Sequence, residues 1–131
     1  MSIIYRIDGQ SLQEELKAAK RVSWLTEICG LLVLKDRRIY LLPVHNSSKE
    51  MGAFRIEPQW WLSSRKRSGF AENQVVGTYH SHVSSSAEPG SGDIDGSWNG
   101  QLMLIITCSD QGAGLWKIKN RRALKCNWFK T

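Results

Sequence analysis

Residues 78–93 read Thr78-Tyr79-His80-Ser81-His82-Val83-Ser84-Ser85-Ser86-Ala87-Glu88-Pro89-Gly90-Ser91-Gly92-Asp93 (TYHSHVSSSAEPGSGD). Two of the chain's three histidines stand two apart at the end of an apolar run, and a carboxylate follows a loop of small residues. On a strand, residues i and i+2 face the same way. His80 and His82 would then share one face at a sheet's end, with Tyr79 and Ser81 on the other. That is the spacing two nitrogen ligands need to share one ion. It is also the spacing of a strand that merely ends in histidines.

Asp93 can be read in two ways. A carboxylate there can start a short helix running from Ser91 or Asp93 through Trp98. It can equally join the histidines. Two His and one Asp give Zn(II) three protein ligands and leave the fourth position open, which is the pattern of a catalytic site. An ion so held turns water into a nucleophile near neutral pH. Hydrolysis also needs a proton carrier. Glu27, in LTEICGLL just before an apolar run, is either a solvated helix-terminal acid or a group reaching over the sheet end.

Working outward, residues 11–22 (SLQEELKAAKRV) predict a helix, with Ser11 as cap, Glu14 completing a capping box and Leu12, Leu16 and Ala19 on one face. Residues 30–34 and 38–44 predict two strands joined by a turn at Lys35-Asp36-Arg37. A loop follows over 45–52. Residues 58–68 predict a second helix with Pro58 near its first position and Trp60, Trp61 and Leu62 partly buried; Gly69 and Asn73 close it. Residues 74–82 and 101–108 predict strands, the latter the most hydrophobic, and residues 114–119 and 123–129 predict two more joined at Asn120-Arg121. Helices and strands mix irregularly, so the class is α+β or an α/β sandwich, as a single domain over 1–131.

The chain of 131 residues is long enough to bury a core, and none of its apolar runs is long enough to span a bilayer. The start, MSIIYRIDGQ, has no signal-peptide pattern. Cys29, Cys108 and Cys126 are an odd number with no CxxC, so reduced thiols and a cytoplasmic location are expected. Net charge is +6, unevenly spread. Residues 71–116 hold no Lys or Arg, but do hold Glu72, Glu88, Asp93, Asp95 and Asp110. Lys117, Lys119, Arg121, Arg122, Lys125 and Lys130 make a basic end. Such an end can attract nucleic acid or an acidic protein, and more commonly is a solvated face. With no recognisable reading motif, nucleic acid is not expected as a partner.

Glu27 ahead of CGLL, then His80-Ser81-His82, then Asp93, resembles the JAMM (JAB1/MPN/Mov34) metalloprotease family in its small prokaryotic form. The family pattern is an upstream glutamate, H-x-H, seven residues, Ser, two residues, Asp. The stretches Val44-His45-Asn46 and Phe54-Arg55-Ile56-Glu57-Pro58 agree with prokaryotic members, and the likeness runs from about Glu27 to Cys108. It implies an MPN/JAB-type mixed β-sheet flanked by helices. It implies that His80, His82 and Asp93 bind zinc and that Glu27 is general base on the zinc-bound water, then acid toward the leaving amine. The implied activity is hydrolysis of isopeptide or peptide bonds after the C-terminus of a ubiquitin-like protein, in deconjugation or precursor processing. E1- and E2-like enzymes are implied as system partners, as in some antiphage systems.

Two positions depart from the pattern. The family serine, which stabilises the tetrahedral intermediate, falls at Gly90; Ser91, one of Ser84 to Ser86 or a backbone N–H would have to replace it. Val83 stands where proline is usual. The alternative reading is a catalytically weak or inactive MPN-type interaction scaffold. Trp24, Trp116 and Trp128 are expected in the core, while Trp60, Trp61 and Trp98 are candidates for lining a substrate groove.

Overall fold

The computed structural model describes residues 3–22, 27–48, 54–82, 86–107 and 112–131. Its elements are β1 (Ile4–Ile7), α1 (Gly9–Val22), β2 (Cys29–Lys35), β3 (Arg38–Val44), α2 (Pro58–Ser68), β4 (Val75–His82), α3 (Ser91–Asp95), β5 (Leu102–Thr107), β6 (Ala113–Lys119), β7 (Arg122–Lys125) and β8 (Asn127–Lys130). The strands form one mixed sheet in the order β7-β6-β5-β4-β2-β3-β1-β8. The mixed sheet with flanking helices expected from the sequence is therefore present.

The β2–β3 hairpin closes through Asp36 and Arg37, both at positive φ (52° and 65°), with Lys35 opposite Arg38. This is the two-residue turn whose twist matches that of its strands. β4 and β5 are parallel, so the chain must cross over between them, and α3 lies on that crossover. β7 and β8 are separated only by Cys126, yet they occupy opposite ends of the strand order. Neighbouring Cα atoms stand about 3.8 Å apart, so the sheet must curl until its two edges meet there.

α1 lies against the concave face. Leu12 and Ala19 are buried with Ile7, Leu32, Ile39, Leu41, Tyr79, Leu104, Ile106 and Leu115. On the convex face, Leu31, Val33 and Val44 pack with Ile56 and Trp61, and Met103, Ile105 and Ile118 pack with Ile94 and Trp116. Alternation divides each strand between these cores. Gly30 is required where the faces crowd: a Cβ there would collide with the Leu42 carbonyl and the Tyr79 ring.

Several local expectations change. α1 begins at Gly9, and its cap is Asp8, whose Oδ2 accepts the Ser11 N–H at 2.9 Å. Ser11 instead uses its hydroxyl to accept the Leu41 N–H at 3.2 Å, tying the helix to β3. Ser and Asp are comparable caps; the end of β1 at Ile7 decides for Asp8. β1 itself was not expected. The strand read over 123–129 is two strands divided at Cys126, because the chain changes edge there. The short helix ends at Asp95, before Trp98. In α2, Trp60 (38%) and Leu62 (41%) are exposed, and Ser64 is the buried residue. Asn73 falls in a separate helical turn, Glu72–Gln74, leaving Gly69 (φ 81°) as the α2 cap. Trp116 and Trp128 are half-buried against the cores. Trp24 and Cys108 lie outside the described residues.

Glu15 is buried in the apolar stripe of α1. Burial raises its carboxyl above the ordinary value, and the nearby Tyr79 hydroxyl, as a donor, offsets part of this. A carboxyl raised in the folded state contributes stability while protonated, which is lost as pH rises through the folded value. Glu15→Gln should therefore raise the melting temperature at neutral pH. The gain should shrink as pH falls through the carboxylate range, as measured by calorimetry.

Candidate metal centre

β4 supplies two ligand atoms from its convex face. His80 is fully buried, and its ring stacks on Phe54 at 4.2 Å between centroids and 19° between planes. Its Nε2 stands 3.1 Å from His82 Nε2. Asp93 arrives from α3: its Oδ1 is 3.1 Å from His80 Nε2 and its Oδ2 3.1 Å from His82 Nε2. The Gly90 N–H donates to Asp93 Oδ2 at 2.8 Å. The helix starts at Ser91 with Gly90 as its N-cap, so Asp93 is not the residue that starts it; from the third position its carboxylate accepts the Gly90 N–H and also faces the histidines.

His82 Nδ1 is 3.0 Å from the Ser86 carbonyl. A carbonyl only accepts, so Nδ1 carries the proton and neutral His82 aims an Nε2 lone pair at the group. Burial pushes His80 below the ordinary imidazole value, toward the neutral form that ligates, although Asp93 opposes this. The Asp93 hydrogen bond raises His82. For Asp93 itself burial opposes the charge, but the adjacent imidazoles of His80 and His82 and the Gly90 N–H outweigh it and hold the carboxyl well below its usual range. Ligand atoms about 2.0–2.1 Å from a tetrahedral zinc are about 3.3–3.4 Å from one another. The observed spacings are close to this, and two imidazole nitrogens with a carboxylate form a donor set suited to zinc. The residues present therefore fit the ion.

Glu27 is 5% exposed. Cys29 pairs across the sheet with His80; continuing that antiparallel register outward brings Glu27 level with His82. Burial raises its carboxyl to about 7; the His82 charge pulls it down and Asp93 pushes it up. Cys29 lies opposite His80, but burial and the charges of Glu27 and Glu15 push its thiol to about 12. A thiol held neutral is a poor ligand. His45 packs on Trp60 at 5.0 Å and stays outside the group.

Ser91 opens α3 and is exposed. At Gly90 a Cβ would meet Asp93 Oδ2 at 3.6 Å, an ordinary contact, so a side chain fits there. Of the serines named as replacements, Ser84 and Ser85 lie outside the described residues, as does Val83. A cavity of about 590 Å³ adjoins Asp93, lined by Phe54, Arg55, Trp61, Trp98 and Met103 among others. Trp61 and Trp98 pair across it at 5.8 Å. Two of the three candidate groove tryptophans therefore line it, while Trp60 turns to His45.

Sequence reasoning gave no role to Asn46, whose Nδ2 donates to the Glu27 carbonyl at 2.7 Å, or to Ser81, whose Oγ accepts the Ile28 N–H at 2.9 Å. It also assigned no ring contact to Phe54. The available signal was position: an Asn just past a strand end, and a hydroxyl between two histidines.

Residues 9–126 match the profile described as prokaryotic homologs of the JAB domain. The protein is thus of the JAB/JAMM class, and the chain belongs to that prokaryotic family. No curated protein sequence matches it. Its fold is similar to a protein of Desulfitobacterium hafniense (TM-score 0.72, 20% identity, covering 98% of this chain and 93% of the other). It is also similar to a JAB1/MPN domain protein of Archaeoglobus fulgidus (0.60, 18%, 100% and 99%). A third similar structure is described as a JAMM metalloprotease-like zinc site in the proteasome and signalosome (0.58, 19%, 97% and 99%).

Zinc titration should give one equivalent per chain, lost in His80→Ala and in His82→Ala. Because ligating histidines must be neutral, affinity should fall as pH drops through the raised His82 value. Competition with a chromophoric chelator measures both.

Proposed function

We propose that the protein is a zinc-dependent isopeptidase or peptidase that cleaves after the C-terminus of a ubiquitin-like protein. The observation that carries this reading is the convergence of His80 Nε2, His82 Nε2 and both Asp93 oxygens beside the buried Glu27. A zinc ion there would supply Lewis acidity, polarising a carbonyl and acidifying water at its open position.

The remaining work falls to the chain. Glu27, raised toward neutrality by burial, is matched to taking a proton and returning it to a leaving amine. Gly90 and Asp93 keep the carboxylate aimed at the histidines. Phe54 shields one face of His80 from water. The cavity beside Asp93, with Trp61 and Trp98, would receive the extended end of the substrate, since aromatic walls suit such contacts. The ubiquitin-like substrate, and E1- and E2-like enzymes as system partners, follow from the family resemblance.

A second reading, a weakly active or inactive interaction scaffold, is favoured by Gly90. If the enzyme reading holds, a serine restored at the family position should raise the rate. The loss of one such donor typically costs on the order of a hundredfold.

Against a panel of ubiquitin-like fusions, Glu27→Ala should abolish cleavage while retaining zinc; full activity in that variant would exclude Glu27 as base. Gly90→Ser should increase kcat, and Ser91→Ala should lower it if Ser91 serves in its place. No cleavage by zinc-loaded wild type or by Gly90→Ser would favour the scaffold.

A further inference from the structure

Glu27 stands outside regular secondary structure, just before β2. The peptide group that follows it is nevertheless held at both poles by side chains. Asn46 Nδ2 donates to the Glu27 carbonyl at 2.7 Å. The Ile28 N–H, the other pole of the same unit, donates to Ser81 Oγ at 2.9 Å. The Ser81 N–H returns a bond to the Ile28 carbonyl at 3.0 Å. Asn46 is itself anchored, its Oδ1 accepting the N–H groups of Ser48 and Arg55, each at 2.9 Å.

We propose that Asn46 and Ser81 are positioning residues that lock the Glu27–Ile28 peptide plane and so fix the direction in which the Glu27 side chain leaves the backbone toward His80, His82 and Asp93. The inference rests on the reading of Glu27 as general base.

The peptide group is planar, so holding its C=O and its N–H sets the orientation of the whole unit. Turning it would break both bonds and strand polar atoms in a part-buried position. The bonds come from two different strand ends. Asn46 follows β3, and Ser81 belongs to β4. Ser81 also accounts for the middle position of His80-Ser81-His82. Alternation sends its side chain to the face opposite the histidines, where a short hydroxyl meets the Ile28 N–H. One tripeptide thus presents two imidazoles on one face and a tether for the base on the other, which couples the base to the ligands through a single strand. A misplacement of about 1 Å in such a group can cost about a hundredfold in rate.

Asn46→Asp isolates one arm: it keeps an oxygen for Ser48 and Arg55 but sets an acceptor against the Glu27 carbonyl. Ser81→Ala removes the other arm, and Ser81→Thr keeps the hydroxyl. On the full chain, three quantities are measured: Ile28 amide hydrogen exchange by NMR, zinc affinity by chelator competition, and kcat and KM on the fusion used to test Glu27. In Asn46→Asp and Ser81→Ala, Ile28 exchange should accelerate and kcat fall by about tenfold or more, with KM and zinc affinity nearly unchanged. Ser81→Thr should restore both. Unchanged Ile28 exchange in both variants would overturn the proposal. So would loss of zinc in step with kcat, which would make the pair supports of the ligands instead. If zinc-loaded wild type cleaves no fusion, the reading of Glu27 fails separately. Exchange then still decides whether the lock exists, faster exchange upholding it and unchanged exchange overturning it.

Discussion

Successive side chains of β4 leave opposite faces of the sheet, and each of the four final positions is committed by that alternation. Tyr79 enters the concave core against α1 with no exposed surface. His80 and His82 face the convex side, where Phe54 and Asp93 meet them. Ser81 returns to the concave side and holds Ile28. A register slip of one residue would put both imidazoles into the α1 core and the Tyr79 ring toward α3. Gly30 enforces the register, because the Tyr79 ring occupies the space its side chain would need. The packing of the core and the aim of the ligands are therefore one constraint.

That constraint brings ionisable groups together where water is scarce, and their fates diverge. Asp93 has the imidazoles of His80 and His82 and the Gly90 N–H beside it and stays charged despite burial. Glu27 has no comparable donor among the described residues, burial dominates, and its carboxyl rises to about 7. Two carboxylates in one pocket are thus pushed apart in acidity by their bonding, a pattern that separates a ligand from a proton carrier. Cys29, opposite His80, is pushed away from ionisation by burial first and then by the acids near it.

The parts of this arrangement that were legible in the sequence are those set by local spacing. Strand alternation alone places His80 with His82, and a hairpin turn within Lys35-Asp36-Arg37 follows from the break between apolar runs, although Lys35 itself belongs to the strand. The small residues ahead of Asp93 announce a chain reversal. What was not legible depends on distant partners. β1 is four residues, IYRI, with Ile4 60% exposed; it becomes a strand through parallel pairing with β8, more than 120 positions away. The division at Cys126 has no breaker residue, because closure of the sheet imposes it. Asp8 displaces Ser11 as cap once β1 fixes where the helix must start. Asn46 looks like a loop residue until the strand ends are assembled around Glu27.

The segregation of charge follows from the same chemistry. A lysine or arginine in the β4–α3–β5 half could pair with Asp93 and occupy the place a divalent ion would take, at the energy of a charge-assisted hydrogen bond. The stretch 71–116 holds none. Lys117, Lys119, Arg122, Lys125 and Lys130 fall on β6, β7 and β8, toward the two edges of the sheet, and apart from Arg121 the other cations precede residue 71. Among the described residues, Arg55 is the one cation lining the cavity beside Asp93. Its backbone is bound to Asn46 through N–H and to Ser47 through its carbonyl, and it makes no ion pair with Asp93 among the described residues. Among the described residues, the partners of Asp93 are two imidazoles and an amide. Two imidazole nitrogens 3.1 Å apart cannot satisfy each other without a proton or a cation between them. His80, His82 and Asp93 thus form a group that could hold a cation.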